Sequence, residues 1–207
     1  MTSDQSDGNR TVIFADPPGT DNFVYAKLAI AKLNNRTMDA AFTKNVGCIQ
    51  YPNGGCDGLR KVHRFADVVP LGEHWRHKYL VDVDGMGYSA RFFAFLASDS
   101  AVIKSTVYKE YYSEWIQPWL HFIPLSQGYN EIYNIHAYFS GPAAFMTEAV
   151  GNRTNMEGVP RKKQPRELDG DKQLHRIARA GRQWKLMNGR KVDMEGAYHA
   201  YLCVISH

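Results

Sequence analysis

Lys78-Tyr-Leu-Val-Asp82-Val-Asp84-Gly85-Met86-Gly87-Tyr88-Ser89-Ala90-Arg91, followed by the apolar run Phe92-Phe-Ala-Phe-Leu96, is the stretch whose reading decides the fold. It reads as a buried strand, a glycine turn and a helix whose start carries a hydroxyl and a guanidinium. Unpaired N–H groups at a helix start attract anions, glycines admit a ligand close to the backbone, and arginine adds a two-pronged cationic donor. Gly85, Met86, Gly87, Tyr88, Ser89, Ala90 and Arg91 therefore form a candidate phosphate cradle, with Ser89 placed to cap the helix. Arg91 opposes the helix dipole unless an anion is present, an effect below ~1 kcal/mol. Asp82 and Asp84 alternate onto one face of the strand, and Asp84 borders the turn closely enough to line the pocket.

Working outward, strands and helices are expected to alternate. Upstream, Thr11–Phe14 reads as a strand and Ala15–Asn22 as a loop. Val24, Leu28 and Ala31 give Phe23–Leu33 helical spacing, Asp39–Thr43 is a second short strand, and Lys61–Val69 a short helix ending before Pro70. Downstream come a strand at Ala101–Ser105, an aromatic helix at Tyr108–Gln117, a strand at Trp119–Leu125 and a helix at Asn130–Phe139. This alternation implies an α/β fold with a parallel sheet covered on both faces, whose ligands bind outside the carboxyl ends of the strands, where Gly85–Arg91 falls. Residues 1–10 are expected to be a disordered polar lead, 11–207 one lobe, and 141–171 a flexible insertion. Helices close the chain within 174–207. The first, Leu174–Leu186, stops at Asn188-Gly189, and Asp193 caps the second.

The 207 residues carry a formal charge of +4. The basic residues crowd between Arg153 and Lys191, away from most aromatic residues, which fits a solvated loop and helix face rather than a nucleic-acid surface. No apolar run is long enough to span a bilayer, and the first ten residues lack a signal-peptide core. Cys48 and Cys56 flank a turn-rich segment suited to a disulfide loop, leaving Cys203 in an apolar helix. Asn9, Asn35 and Asn152 each begin an Asn-Arg-Thr glycosylation sequon. These features point to a secretory-pathway lumen, with a signal or anchor expected upstream of this sequence.

Gly85-x-Gly87-x-x-Ala90 also fits the dinucleotide fingerprint, although the following strand ends in Lys104-Ser105 rather than in a ribose-binding acid. Lysine there suits a ribose phosphate, so Lys104 joins Asp84 as a possible pocket residue, and an NAD(P)-dependent oxidoreductase is one reading. No nucleophile stands out, since Ser89 lacks a Gly-x-Ser-x-Gly context and Cys203 lies in an apolar helix. No pair of carboxylates identifies an acid and base, so no catalytic residue is assigned. His74 and His77 stand three apart without a third ligand, so no metal and no cofactor is expected.

Lys78 to Lys104, with Pro118-Trp-Leu-His-Phe-Ile-Pro-Leu125, strongly resembles the glycosyltransferase family 90 domain of fungal capsule-associated xylosyltransferases and Rumi-type protein O-glucosyltransferases. Asp39-Ala-Ala-Phe-Thr43, Cys48, Val69-Pro-Leu71, Ile177-Ala-Arg-Ala-Gly-Arg-Gln-Trp184 and Val192-Asp-Met-Glu195 extend the likeness. The resemblance implies a Rossmann-like parallel sheet with flanking helices, like the C-terminal nucleotide-sugar-binding lobe of a GT-B glycosyltransferase. It implies a UDP-sugar donor contacted by Met86 to Arg91, with Arg91 on the diphosphate, and transfer of xylose or glucose to a glycan or protein hydroxyl in the ER or Golgi lumen. Relatives carry an acceptor lobe with an aspartate base, which nothing here matches, and an arginine in the loop corresponding to Phe14–Thr20, which is absent. An isolated C-terminal lobe or truncated product is therefore expected, and a non-catalytic donor-binding or partner-binding remnant is the alternative.

Overall fold

A computed structural model describes residues 8–16, 20, 22–43, 54–85, 87–150 and 169–196. These residues form two compact units, Met1–Pro70 with Tyr133–Leu168, and Leu71–Ile132 with Asp169–His207.

In the first unit, β1 (Asn9–Ala15) pairs antiparallel with β2 (Phe23–Ala29), Val12 lying opposite Ala26. The helix expected over Phe23–Leu33 is thus a strand that turns into helix α1 only at Ile30, ending at Thr37. Val24 and Leu28 satisfy a helical spacing and a strand spacing equally; Ala26, buried between them, gives the alternation its period of two. Helix α2 (Gly55–Val62) precedes rather than occupies Lys61–Val69. The strand expected at Asp39–Thr43 is reduced to one parallel bridge, Phe42 to Phe65, with the two rings 5.6 Å apart. Helix α4 (Ile132–Ser140) forms as expected, and its Asn134 accepts the Ile13 N–H of β1 at 3.0 Å. Helix α5 (Ala144–Val150) packs on β2, so the segment expected to be an insertion begins with ordered helix. Residues 151–168, with Asn152, fall outside the described residues, as do Cys48 and Cys203.

The second unit holds a three-stranded parallel sheet in the order β3 (Tyr79–Val83), β4 (Ala101–Ser105), β5 (Ile123–Pro124). Helix α3 (Phe92–Leu96) makes the crossover from β3 to β4, and α6 (Gly170–Asn188) packs against β4 and α3. This is the Rossmann-like α/β arrangement of a parallel sheet flanked by helices. All five residues of β4 are buried, as a central parallel strand requires.

Two elements differ from expectation. Tyr108–Gln117 forms turns, because Ser113 Oγ accepts the Glu110 N–H while the Ser113 N–H returns to the Glu110 carbonyl, which stops a helical ladder from starting. Trp119–Leu125 yields only the two residues of β5. Trp119 sits at φ 65°, and the His121 Nδ1 accepts the Gln117 N–H at 2.9 Å, folding Gln117–Phe122 into a turn. Burial lowers the His121 pKa, favouring the neutral ring that this acceptor role requires. A last helix begins at 191. Asp193 caps it from inside its first turn, accepting the Arg190 N–H at 3.0 Å, rather than from the cap position itself.

The core of this unit is aromatic. Phe92 stacks on Tyr112 at 5.6 Å, and the Trp184 Nε1 donates to the Trp115 carbonyl at 3.1 Å. Helix α6 packs most closely on this unit at Gly181, where an added Cβ would lie 2.3 Å from the His121 carbonyl oxygen and 2.9 Å from Leu96. Gly181→Ala is expected to lower stability by about 1–3 kcal/mol despite alanine's better helix propensity, checked by urea denaturation.

Candidate functional site

The carboxyl end of the parallel sheet brings together most of the residues singled out in the sequence. Strand β3 contributes Asp82 on the same face as buried Leu80, and Asp82 lies in register with Lys104 of β4. Neither charge reaches water: Asp82 is 0% exposed and Lys104 4%. They pair with each other, Lys104 Nζ standing 2.9 Å from Asp82 Oδ2 and 4.3 Å from the centre of the Phe92 ring. The Ser89 hydroxyl, 7% exposed as a residue, donates to the other oxygen of Asp82 at 2.5 Å. Both oxygens of a buried carboxylate are thereby satisfied.

This arrangement changes two expectations. Ser89 does not cap α3: the cap position is Arg91, with no side-chain cap, and the serine hydroxyl turns inward to Asp82 instead. Lys104 lies within the site region, but its ammonium is buried between Asp82 and Phe92 rather than presented at the surface.

Gly85, Gly87, Tyr88, Ala90 and Arg91 lie on the turn above this pair; Met86 falls outside the described residues. Tyr88, Ala90 and Arg91 are exposed. Among the described residues, the N–H groups of Gly87 to Arg91 meet no hydrogen-bond acceptor, which leaves a run of free donors beside one cation. The Arg91 guanidinium leans over the end of β3, its Nη2 donating to the Val83 carbonyl at 3.3 Å.

Asp84 ties the two loops at this end of the sheet together. Its Oδ2 accepts the Val107 N–H at 2.8 Å, while its Oδ1 and the Oε1 of Glu110 are buried with no partner among the described residues. Burial raises the Glu110 pKa; the nearby Lys104 opposes that shift, and Asp84 and Asp82 add to it. Glu110 is the residue that sequence reasoning missed, because it was assigned to a helix that does not form. Asp82 was noticed but given no role. The signal for it was present: one charge in each of two adjacent apolar strands calls for a partner.

The other expectations disperse. Asn9 on β1 and Asn35 on α1 are exposed. His77 lines a hollow of about 260 Å³ at the opposite, amino end of the sheet, with Trp75, Lys78, Asp99 and His175. No described helix is long and apolar enough to cross a membrane.

Breaking one partner out of a buried ion pair leaves the other uncompensated. Lys104→Met is therefore expected to destabilise the protein by about 3–5 kcal/mol, and Asp82→Leu with Lys104→Met together by much less, measured as urea midpoints at constant slope.

Residues 23–140, more than half of the chain, match the sequence profile described as Glycosyl transferase family 90. A curated relative, Protein O-glucosyltransferase 2 of Danio rerio, is 30% identical over 104 residues, covering 50% of this chain. The chain spans only 19% of that relative's length. The profile match includes the whole of β3, the turn, α3, β4 and β5. On that match, the chain belongs to glycosyl transferase family 90.

Proposed function

We propose that this chain binds the diphosphate of a UDP-sugar at Gly85–Arg91, as the donor half of a glycosyltransferase that passes glucose or xylose to a glycan or protein hydroxyl. The observation that carries the reading is the exposed Arg91 guanidinium beside the amides of Gly87 to Arg91, unbonded among the described residues, at the carboxyl end of β3. Backbone donors and a fixed cation stabilise the negative charge that gathers on a departing diphosphate, and they do so most strongly where water is thin. The reading needs no metal and no resident cofactor, the UDP-sugar being a substrate. Family membership supports it, and the likeness to a protein O-glucosyltransferase supports glucose as the transferred sugar.

An NAD(P)-dependent oxidoreductase is disfavoured by the position of Lys104. A lysine that is 4% exposed and bonded to Asp82 is not offered to a ribose phosphate.

A secretory lumen belongs to the same reading. We propose a disulfide at Cys56, the one cysteine among the described residues. Cys48, eight residues away, is the partner we propose, since it closes a short turn-rich loop. Exposed Asn9 and Asn35 are open to glycan addition there.

Isothermal titration with uridine diphosphate is the direct test. Arg91→Ala is expected to weaken binding about 10- to 100-fold, since it removes charge-assisted hydrogen bonds while leaving an exposed site free of packing defects. Unchanged affinity, or tighter binding of a nicotinamide nucleotide, overturns the assignment.

A further inference from the structure

We propose that Lys104 and Asp82 are positioning residues for the phosphate-binding turn, acting on it through the Ser89 hydroxyl. The inference rests on the donor reading above and concerns what holds the turn in place. The amides of Gly87 to Arg91 have no backbone partner among the described residues, so no ladder of hydrogen bonds sets their direction. Among the described residues, two side-chain ties connect the turn to the sheet. One is the bond from Arg91 to the Val83 carbonyl, 3.3 Å long and made by an exposed side chain. The other is buried: Ser89 to Asp82 at 2.5 Å.

That second tie is anchored on all sides. Asp82 cannot rotate without breaking one of its two bonds, because Lys104 holds Oδ2 while Ser89 holds Oδ1. Lys104 in turn rests on the face of Phe92, the first residue of α3 and 0% exposed. The path from β3 to the turn, to α3, to β4 and back to β3 is closed by these contacts. Two links in it, Asp82 and Lys104, are polar side chains in register positions fixed by the sheet, and the third, Ser89, joins them from the turn.

Charge supports the same role. Asp82 without a counter-ion would place a buried negative charge directly beneath a site for phosphate, and the neighbouring Asp84 and Glu110 are acidic as well. Lys104 cancels Asp82 locally, so the pair adds no net negative charge beneath Arg91. A buried ion pair contributes little net stability compared with apolar residues of the same size. Fixing the direction of Ser89 is a purpose that apolar residues in those places would not serve.

The test compares the full chain with Ser89→Ala, Ser89→Thr and the double variant Asp82→Leu with Lys104→Met. Two readouts are taken: uridine-diphosphate affinity by calorimetry, and ¹⁵N-relaxation order parameters of the amides of Gly87 to Arg91 without ligand. With the tie intact those amides are expected near ~0.85, and in Ser89→Ala they fall below ~0.6 while affinity drops about 10-fold. Ser89→Thr, which keeps the hydroxyl, restores both. The double variant loosens the turn as Ser89→Ala does although its urea midpoint stays near the parent's. Order parameters unchanged in Ser89→Ala overturn the proposal, as does a double variant with a rigid turn. If the parent binds no uridine diphosphate but Ser89→Ala still loosens the turn, the donor reading falls and the positioning role stands.

Discussion

The strand register of the second unit's parallel sheet depends on one buried contact, the ion pair between Asp82 and Lys104 across β3 and β4. Apolar residues alone would let a short parallel pair slip, since Leu80 and Val102 are satisfied by many neighbours of similar shape. A charge in each strand is satisfied by one partner only. A slip that separated them would bury two unpaired ions at several kcal/mol each, so the observed register, Asp82 opposite Lys104, is fixed by electrostatics as much as by packing. The same pair sits at the end of the sheet where the backbone leaves it, and the second oxygen of Asp82 extends the constraint into the turn.

How far the sequence discloses this structure depends on whether its local signals are redundant. Tyr79–Val83, Ala101–Ser105 and α6 are legible because several cues agree: apolar runs of strand length, a glycine turn between them, and for α6 a long helical stripe closed by Asn188-Gly189. The break between β3 and α3 is legible for the same reason. Phe23–Ala29 misleads because Val24 and Leu28 serve two periodicities and only Ala26, a small residue of weak preference, separates them. Tyr108–Gln117 misleads in a different way. Its aromatic residues recur at helical spacing, but their rings belong to a core built from three directions, and Ser113 supplies the backbone with a competing partner. Trp119 illustrates the limit most clearly: a left-handed backbone at a bulky residue is imposed by the tertiary fold and has no local sequence cause.

The site follows the same division. The glycines and Arg91 announce themselves, because anion binding calls for residue types that are unusual between a strand and a helix. The role of Ser89 does not, since a serine ahead of a helix reads as a cap until the burial of its neighbours is known. Glu110 is invisible for want of the turn that carries it to the end of the sheet, where burial raises its pKa beside Asp84.

Helix α3 shows how core and site constrain each other. Five residues cannot hold a helix in water, so α3 exists only because Phe92, Phe95 and Leu96 are buried in the aromatic core. Its position is set from one side by α6, which approaches closely enough to leave no room for a Cβ at Gly181, and from the other by Tyr112 stacked on Phe92. Arg91 is the residue immediately before that helix. Its backbone direction is therefore inherited from Phe92, and Phe92 is in contact with both the core and the Lys104 ammonium. A packing defect at Gly181 meets α3 at Leu96 and a lost charge at Lys104 meets it at Phe92, so both would reach Arg91 through the same helix, which couples the rigidity of the proposed anion site to the aromatic core beneath it.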